Sequence, residues 1–249
     1  MPPSEYSEFS ENSDYSDNSD NNNNLKKTLM KQNSEYRAQA RAALEGRWTE
    51  AVLMLIIFTM VACAFSVPFG LVSGVYATRL PWLAESMSGC TFLVSVLIIM
   101  PIGYGWNNAL LSFLRSNEEG TNGFSEMWHF FRRDYSRSVP ALLLATVFST
   151  LLGIVTLGIG AVVLNYAYAM VPYLLRDYPE LSAREALRTS SQMMKGHKWD
   201  LFVLDLSFIG WILLGIMTAG IGMLWVAPYM DTTQAAFYED LKNECIEEE

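Results

Sequence analysis

Long stretches of this chain contain no charged residue, among them Ala51 to Thr78, Ser86 to Leu114 and Ser138 to Leu175. About 18 apolar residues in a row are enough for a helix to cross a bilayer. A soluble core can hide one such helix, but three uncharged runs of this length do not fit inside one. The chain reads as an integral membrane protein built from helices. Charged residues make up 17% of it, where soluble domains carry about 25%, and those present are gathered between and beyond the runs.

The third run is too long for one span. Its 38 residues would make a helix of about 57 Å, while the hydrocarbon core is about 30 Å thick. Gly153, Gly158 and Gly160 lie near its middle, so two helices joined by a tight turn are expected. A repeat supports the division. Leu152-Gly153-Ile154-Val155-Thr156-Leu157-Gly158-Ile159-Gly160 matches Leu214-Gly215-Ile216-Met217-Thr218-Ala219-Gly220-Ile221-Gly222 at seven of nine positions. Repeats of this kind mark duplicated units. Pro101, Pro172 and Pro228 each fall in an even-numbered helix, and Leu44 to Trp48 resembles Met194 to Trp199. The expected fold is all-α: a polytopic bundle of six transmembrane helices, arranged as three repeated hairpins with amphipathic cytoplasmic connectors.

The charges orient it. Cytoplasmic loops collect Lys and Arg. With the N-terminus inside, six helices place 16 of the 17 Lys and Arg residues in the cytoplasm, and only Arg79 outside. Both chain ends are then cytoplasmic, in a bacterial plasma membrane. Four divisions follow. Residues 1–25 form an acidic Ser/Asp/Glu/Asn arm too polar to fold. Residues 26–50 form a basic amphipathic helix at the membrane surface. The six-helix domain covers 51–238, and 239–249 is an acidic tail. The net charge of −9 belongs to the two tails. The basic segments point to anionic lipid headgroups as partners. Nucleic acid is not expected, protein partners are unspecified, and self-association stays open. The acidic, polar start is not a signal peptide, so the first helix is expected to serve as an uncleaved signal.

No catalytic, cofactor or metal site is expected. His129 and His197 are the only histidines, and both read as interfacial residues among basic neighbours. Cys63, Cys90 and Cys245 have neither metal nor disulfide spacing. No phosphate-binding loop occurs. The residues that invite a site are polar ones within the apolar helices: Asp205, Asp231, Asn107, Asn108 and Asn165. Ionisable groups inside a membrane are costly and point to function. Equally, the asparagines can be hydrogen-bonding glue between helices, and the acids can lie shallow enough to meet water, Lys198 or Arg176. Three functions follow: a non-enzymatic scaffold or accessory protein, a small-solute or ion transporter with Asp205 and Asp231 lining its path, and a lipid-handling protein.

The stretch Glu185-Ala186-Leu187-Arg188-Thr189-Ser190-Ser191-Gln192-Met193-Met194-Lys195-Gly196-His197-Lys198-Trp199, with Leu204 to Trp211 and with Pro228-Tyr229 and Ala236 to Leu241, is distinctive. It resembles the bacterial integral membrane family catalogued as domain of unknown function 975, over roughly Ser34 to Leu241. That resemblance implies a plasma membrane protein of several helices and carries no catalytic or binding residues. The architecture also resembles the membrane domain attached to some glycerophosphodiester phosphodiesterases.

The charge split generates a topology test. In a cysteine-free background, Ser86→Cys should react with an impermeant maleimide from outside and Thr121→Cys only after permeabilisation. The reverse pattern overturns the orientation.

Overall fold

The computed structural model describes residues 33–115, 123–133 and 135–247. The acidic arm, the opening of the basic segment and Thr121 lie outside them. All the described elements are helices. In chain order they are α1 (Asn33–Leu44), α2 (Trp48–Tyr76), α3 (Pro81–Arg115), α4 (Gly123–Arg133), α5 (Tyr135–Val155), α6 (Ile159–Ala167), α7 (Val171–Asp177), α8 (Ala183–Met193), α9 (Lys198–Leu206), α10 (Ile209–Met217) and α11 (Met223–Glu247). Helix α3 contains one wider π turn, Ser95–Ile99. Pro81 opens the helix, so it starts before the uncharged run and holds Glu85 in its first turns.

Five helical stretches are long and apolar enough to cross a membrane: Trp48–Tyr76, Pro81–Arg115, Ser138–Val155, Ile159–Asp177 and Lys198–Met217. Such a set is that of a multi-pass membrane protein. Helix α11 is not among the five. Asp231, Gln234, Glu239 and Asp240 dilute its apolar content.

The third uncharged run does divide. Helices α5 and α6 meet at a turn in which Leu157 and Gly158 have φ of 53° and 95°. Between α10 and α11 the second nonapeptide makes the same turn, with Ala219 at 55° and Gly220 at 86°. Each turn closes with one bond across five residues. The Gly158 N–H donates to the Gly153 carbonyl (2.7 Å) and the Gly220 N–H to that of Gly215 (3.0 Å). A threonine then caps the outgoing helix: Thr156 Oγ1 accepts from the Gly160 N–H at 2.7 Å, and Thr218 Oγ1 from Gly222 at 2.8 Å. The left-handed backbone at Leu157 and Ala219 costs roughly 1–2 kcal/mol each, which these bonds offset.

Burial divides the molecule into two layers. Outside the packed residues, the large exposed apolar side chains lie almost entirely on 53–97, 147–163 and 206–225. So extensive an apolar surface suits lipid and is untenable in water. The buried core instead gathers from 36–54, 102–141, 167–208 and 226–241. Helices α2, α3, α5, α6, α9 and α11 pass from one layer into the other.

Within the packed layer one arrangement occurs three times. A short helix turns a corner into a long apolar one, and the same register is buried each time: Tyr36, Gly123 and Ala186; Ala40, Met127 and Ser190; Ala51, Ser138 and Leu201; Met54, Ala141 and Leu204. The spacing is 87 and then 63 residues throughout. Each short helix also lies back along a proline-containing helix. Helix α4 lies on α3, where Met127 meets Gly105. Helix α8 lies on the α6–α7 arm, where Ser190 Oγ donates to the Ala167 carbonyl at 2.8 Å. Helix α1 lies on α11, where the rings of Tyr36 and Phe237 are 5.5 Å apart. Helix α8 starts with a reciprocal cap. Ser182 Oγ accepts from the Glu185 N–H, and Glu185 Oε2 accepts from the Ser182 N–H. These bonds hold the Glu185 carboxyl below the usual carboxylate range.

The α3–α4 contact can be tested at two glycines. A methyl on Gly105 would stand 2.5 Å from the Met127 carbonyl oxygen, whereas one on Gly103 meets nothing within 4 Å. Gly105→Ala should lower stability by roughly 1–3 kcal/mol, and Gly103→Ala should raise it by up to about 1 kcal/mol. Thermal melts in detergent followed by helical circular dichroism read both shifts. Shifts of the same sign would refute the contact.

Candidate functional site

Helix α11 carries a polar stripe: Asp231, Gln234, Tyr238 and Lys242 recur at spacings of three and four, which places them on one helical face. Each meets a different part of the bundle. The Trp106 indole N–H of α3 donates to Asp231 Oδ2 at 2.7 Å. Gln234 Nε2 donates to Asp205 Oδ1 of α9 at 3.2 Å, and Tyr166 Oη of α6 donates to the other oxygen of Asp205 at 3.0 Å. The two acids singled out in the sequence therefore lie along one seam, both partly buried. Their partners are an indole, a carboxamide and a phenol. Neither Lys198 nor Arg176 is among the hydrogen-bond partners of either acid.

One turn further along α11 is a cluster that the sequence did not single out. Asp177, at the end of α7, has a side chain only 5% exposed. Arg115 of α3 reaches both its oxygens at 2.6 Å in a bidentate pair. Lys242 Nζ donates to Oδ2 at 2.6 Å and Tyr238 Oη at 2.9 Å. The Arg115 Nε–H also donates to Glu239 Oε1 at 2.5 Å. Beside it, the Arg176 guanidinium donates to the backbone carbonyl of Asn108. Charge-assisted bonds of this kind are about twice as strong as neutral ones. The only sequence signal was an acid at the edge of an uncharged run within a cationic loop.

The asparagines separate. Asn108 is fully buried, and its Nδ2 donates to the Tyr104 carbonyl at 2.9 Å within its own helix. Asn107 and Asn165, from α3 and α6, line a cavity of about 450 Å³ between α3, α5 and the α6–α7 arm. Neither contacts Asp205 or Asp231 through a hydrogen bond. The five candidates thus form three groups: an acidic seam, a buried asparagine and a polar cavity.

The residues from 129 to 244 match a family model. That family is described as a protein of unknown function, DUF975. The match covers a little under half of the chain and bears out the resemblance seen in its C-terminal third. It runs from α4 to α11, so it contains the acidic seam, the Asp177 cluster and the α5–α6 side of the cavity, but not Arg115, Trp106 or Asn107. No curated protein and no solved structure matches the chain.

His197 departs from expectation. Carboxylates flank it, Asp200 at 3.3 Å from Nδ1 and Glu244 at 3.6 Å from Nε2. The side chains of His129 and Cys245 lie outside the described residues. Among the described residues no three His, Cys, Asp or Glu side chains gather as a metal site would require.

The Asp177 cluster joins α3, α7 and α11 within the packed layer. Asp177→Asn keeps the size but leaves Arg115 and Lys242 facing a neutral group, and it should cost on the order of 2–4 kcal/mol. Arg115→Lys loses the bidentate geometry and should cost less. Melts in detergent that rank the two in the opposite order would show that Asp177 is not the centre of the cluster.

Proposed function

We propose that the chain is a non-enzymatic scaffold or accessory protein of the bacterial plasma membrane, crossing it six times with both ends in the cytoplasm. One observation carries this reading: both acids near the membrane-spanning segments are bound to neutral donors on neighbouring helices. Asp205 holds α6 and α11 to α9, and Asp231 holds α11 to α3. An acid that couples ion movement must be free to exchange its partner for a proton or cation. Acids engaged this way support a tie between helices.

In this arrangement the start of α11 forms the sixth crossing, paired with α10 as α6 is with α5. The matched turns and the common buried register support three hairpins derived by duplication. The arms differ in height. From Leu55 to Tyr76, α2 has an apolar length of about 33 Å. From Leu142, α5 has about 21 Å before its turn, less than the bilayer core. The second and third hairpins cross if the packed layer sinks into the inner leaflet, which keeps Asp205 and Asp231 short of the headgroups and leaves them to their donors on neighbouring helices. The outer face of that layer carries Arg37, Arg41, Arg184, Arg188 and Lys195, cations suited to anionic lipid.

Reconstitution tests the reading. In proteoliposomes the intact chain should carry no ion or small-solute flux above protein-free vesicles. Asp205→Asn and Asp231→Asn, singly and together, should leave that unchanged while lowering the melting temperature. Anionic phospholipid should raise the melting temperature over phosphatidylcholine alone. Flux in the intact chain that disappears in the double variant establishes the transporter reading instead.

A further inference from the structure

The cavity between α3 and the second hairpin differs from the acidic seam in chemistry. It is lined by no charged side chain. Its polar lining comes from carboxamides and hydroxyls: Asn107, Asn165, Thr146, Thr150, Ser149 and Tyr168 among them. The two threonines are satisfied by their own helix, since each donates to the carbonyl four residues earlier at 2.8 Å. The side chains of Asn107, Asn165 and Ser149 make no hydrogen bond to any described residue. Each carboxamide brings two donors and an acceptor oxygen. Leaving them unmatched beside hydrocarbon is costly.

The opening of the cavity is on the apolar surface. Thr146, Thr150 and Asn165 are exposed, and the same two helices present Phe148, Leu151 and Val162 around them, also exposed. A molecule entering here comes from the bilayer with an apolar chain and leaves that chain among apolar side chains. Along the cavity it meets the Asn165 carboxamide at the opening, and the partly buried Asn107 carboxamide and Ser149 hydroxyl. The absence of lining charge disfavours an ionic headgroup, which would lose its hydration without a countercharge. The volume suits the head and first carbons of one such molecule.

We propose that this cavity binds a neutral amphiphile, an apolar chain ending in a hydroxyl or ester group, entering sideways from the membrane and hydrogen-bonding to Asn107 and Asn165. The site goes beyond the scaffold reading. It needs only that α3, α5 and α6 lie in the membrane, so it stands or falls separately from the flux result.

Photolabelling tests it. The full chain in phosphatidylcholine nanodiscs is exposed to a hexadecanol carrying a diazirine near its hydroxyl, and in parallel to the matching diazirine hexadecane. Labelled peptides are located by mass spectrometry. The alcohol should label the cavity walls on α3, α5 and α6, and unlabelled hexadecanol should compete. The alkane should label exposed faces, including that of α2, without preference for the cavity. Replacing both asparagines (Asn107→Leu with Asn165→Leu) should reduce cavity labelling on the order of tenfold, as expected for two ordinary hydrogen bonds. Labelling of α2 should stay constant, which checks the fold. Thr146→Phe keeps both asparagines and obstructs the opening, and it should give the same loss. Equal cavity labelling by alcohol and alkane, or labelling that survives both variants, overturns the proposal. So does efficient disulfide formation between Asn165→Cys copies in the membrane, which would show a second copy covering the opening.

Discussion

Asp177 is a carboxylate almost cut off from solvent, and four hydrogen bonds converge on its two oxygens. Such a group is stable only while all its donors stay in place, because an unpaired buried charge costs several kcal/mol. Its donors come from α3 and α11, which are separated from it by 62 residues on one side and 61 to 65 on the other. The cluster therefore fixes the ends of α3, α7 and α11 relative to one another. The short helices α4, α8 and α1 lie along those same three arms. Through Tyr238 and Lys242 the cluster also sets the rotation of α11, and that rotation directs Asp231 at Trp106 and Gln234 at Asp205.

The apolar hairpins depend on this layer for their positions. Beyond the prolines their side chains are largely exposed, so within one chain little packing holds one hairpin to the next. Tight packing begins where the helices enter the layer, at Met54, Ala141 and Leu204. A cleft between α3 and the second hairpin is a natural result. Its inner end is closed by packed side chains, while its side stays open along the lipid face.

The hairpin turns were legible in the sequence because their chemistry is local. A threonine, a left-handed glycine and small residues at the crossing specify the turn within nine residues. The acids were legible because a charge within an apolar run is conspicuous. Their partners were not. Trp106 and Tyr166 are aromatic residues in an aromatic-rich chain, and nothing in their neighbours indicates a distant carboxylate. Asp177 was hidden differently, since beside Arg176 it reads as half of a local loop pair. The threefold register is not visible in the letters because the repeated positions share burial and not identity: Tyr36, Gly123 and Ala186 have nothing in common as residue types. Asn107 and Asn108 are adjacent, but consecutive positions on a helix point about 100° apart, so one lines the cavity and the other is enclosed.

Helix α1 rests on α11, the last helix described, with Tyr36 Oη donating to Asp240 at 2.9 Å and Arg41 close to the Tyr229 ring. The first described helix thus rests on the last described one. Until α11 is made, Tyr36 lacks its Phe237 and Asp240 partners, while Ala40 and Leu44 cluster also with Ala51, Met54 and residues of α3. A chain cut before Met223 would leave the Tyr36 edge of the packed layer open. Docking of α1 therefore waits for α11, and this edge of the packed layer closes only when both helices are present.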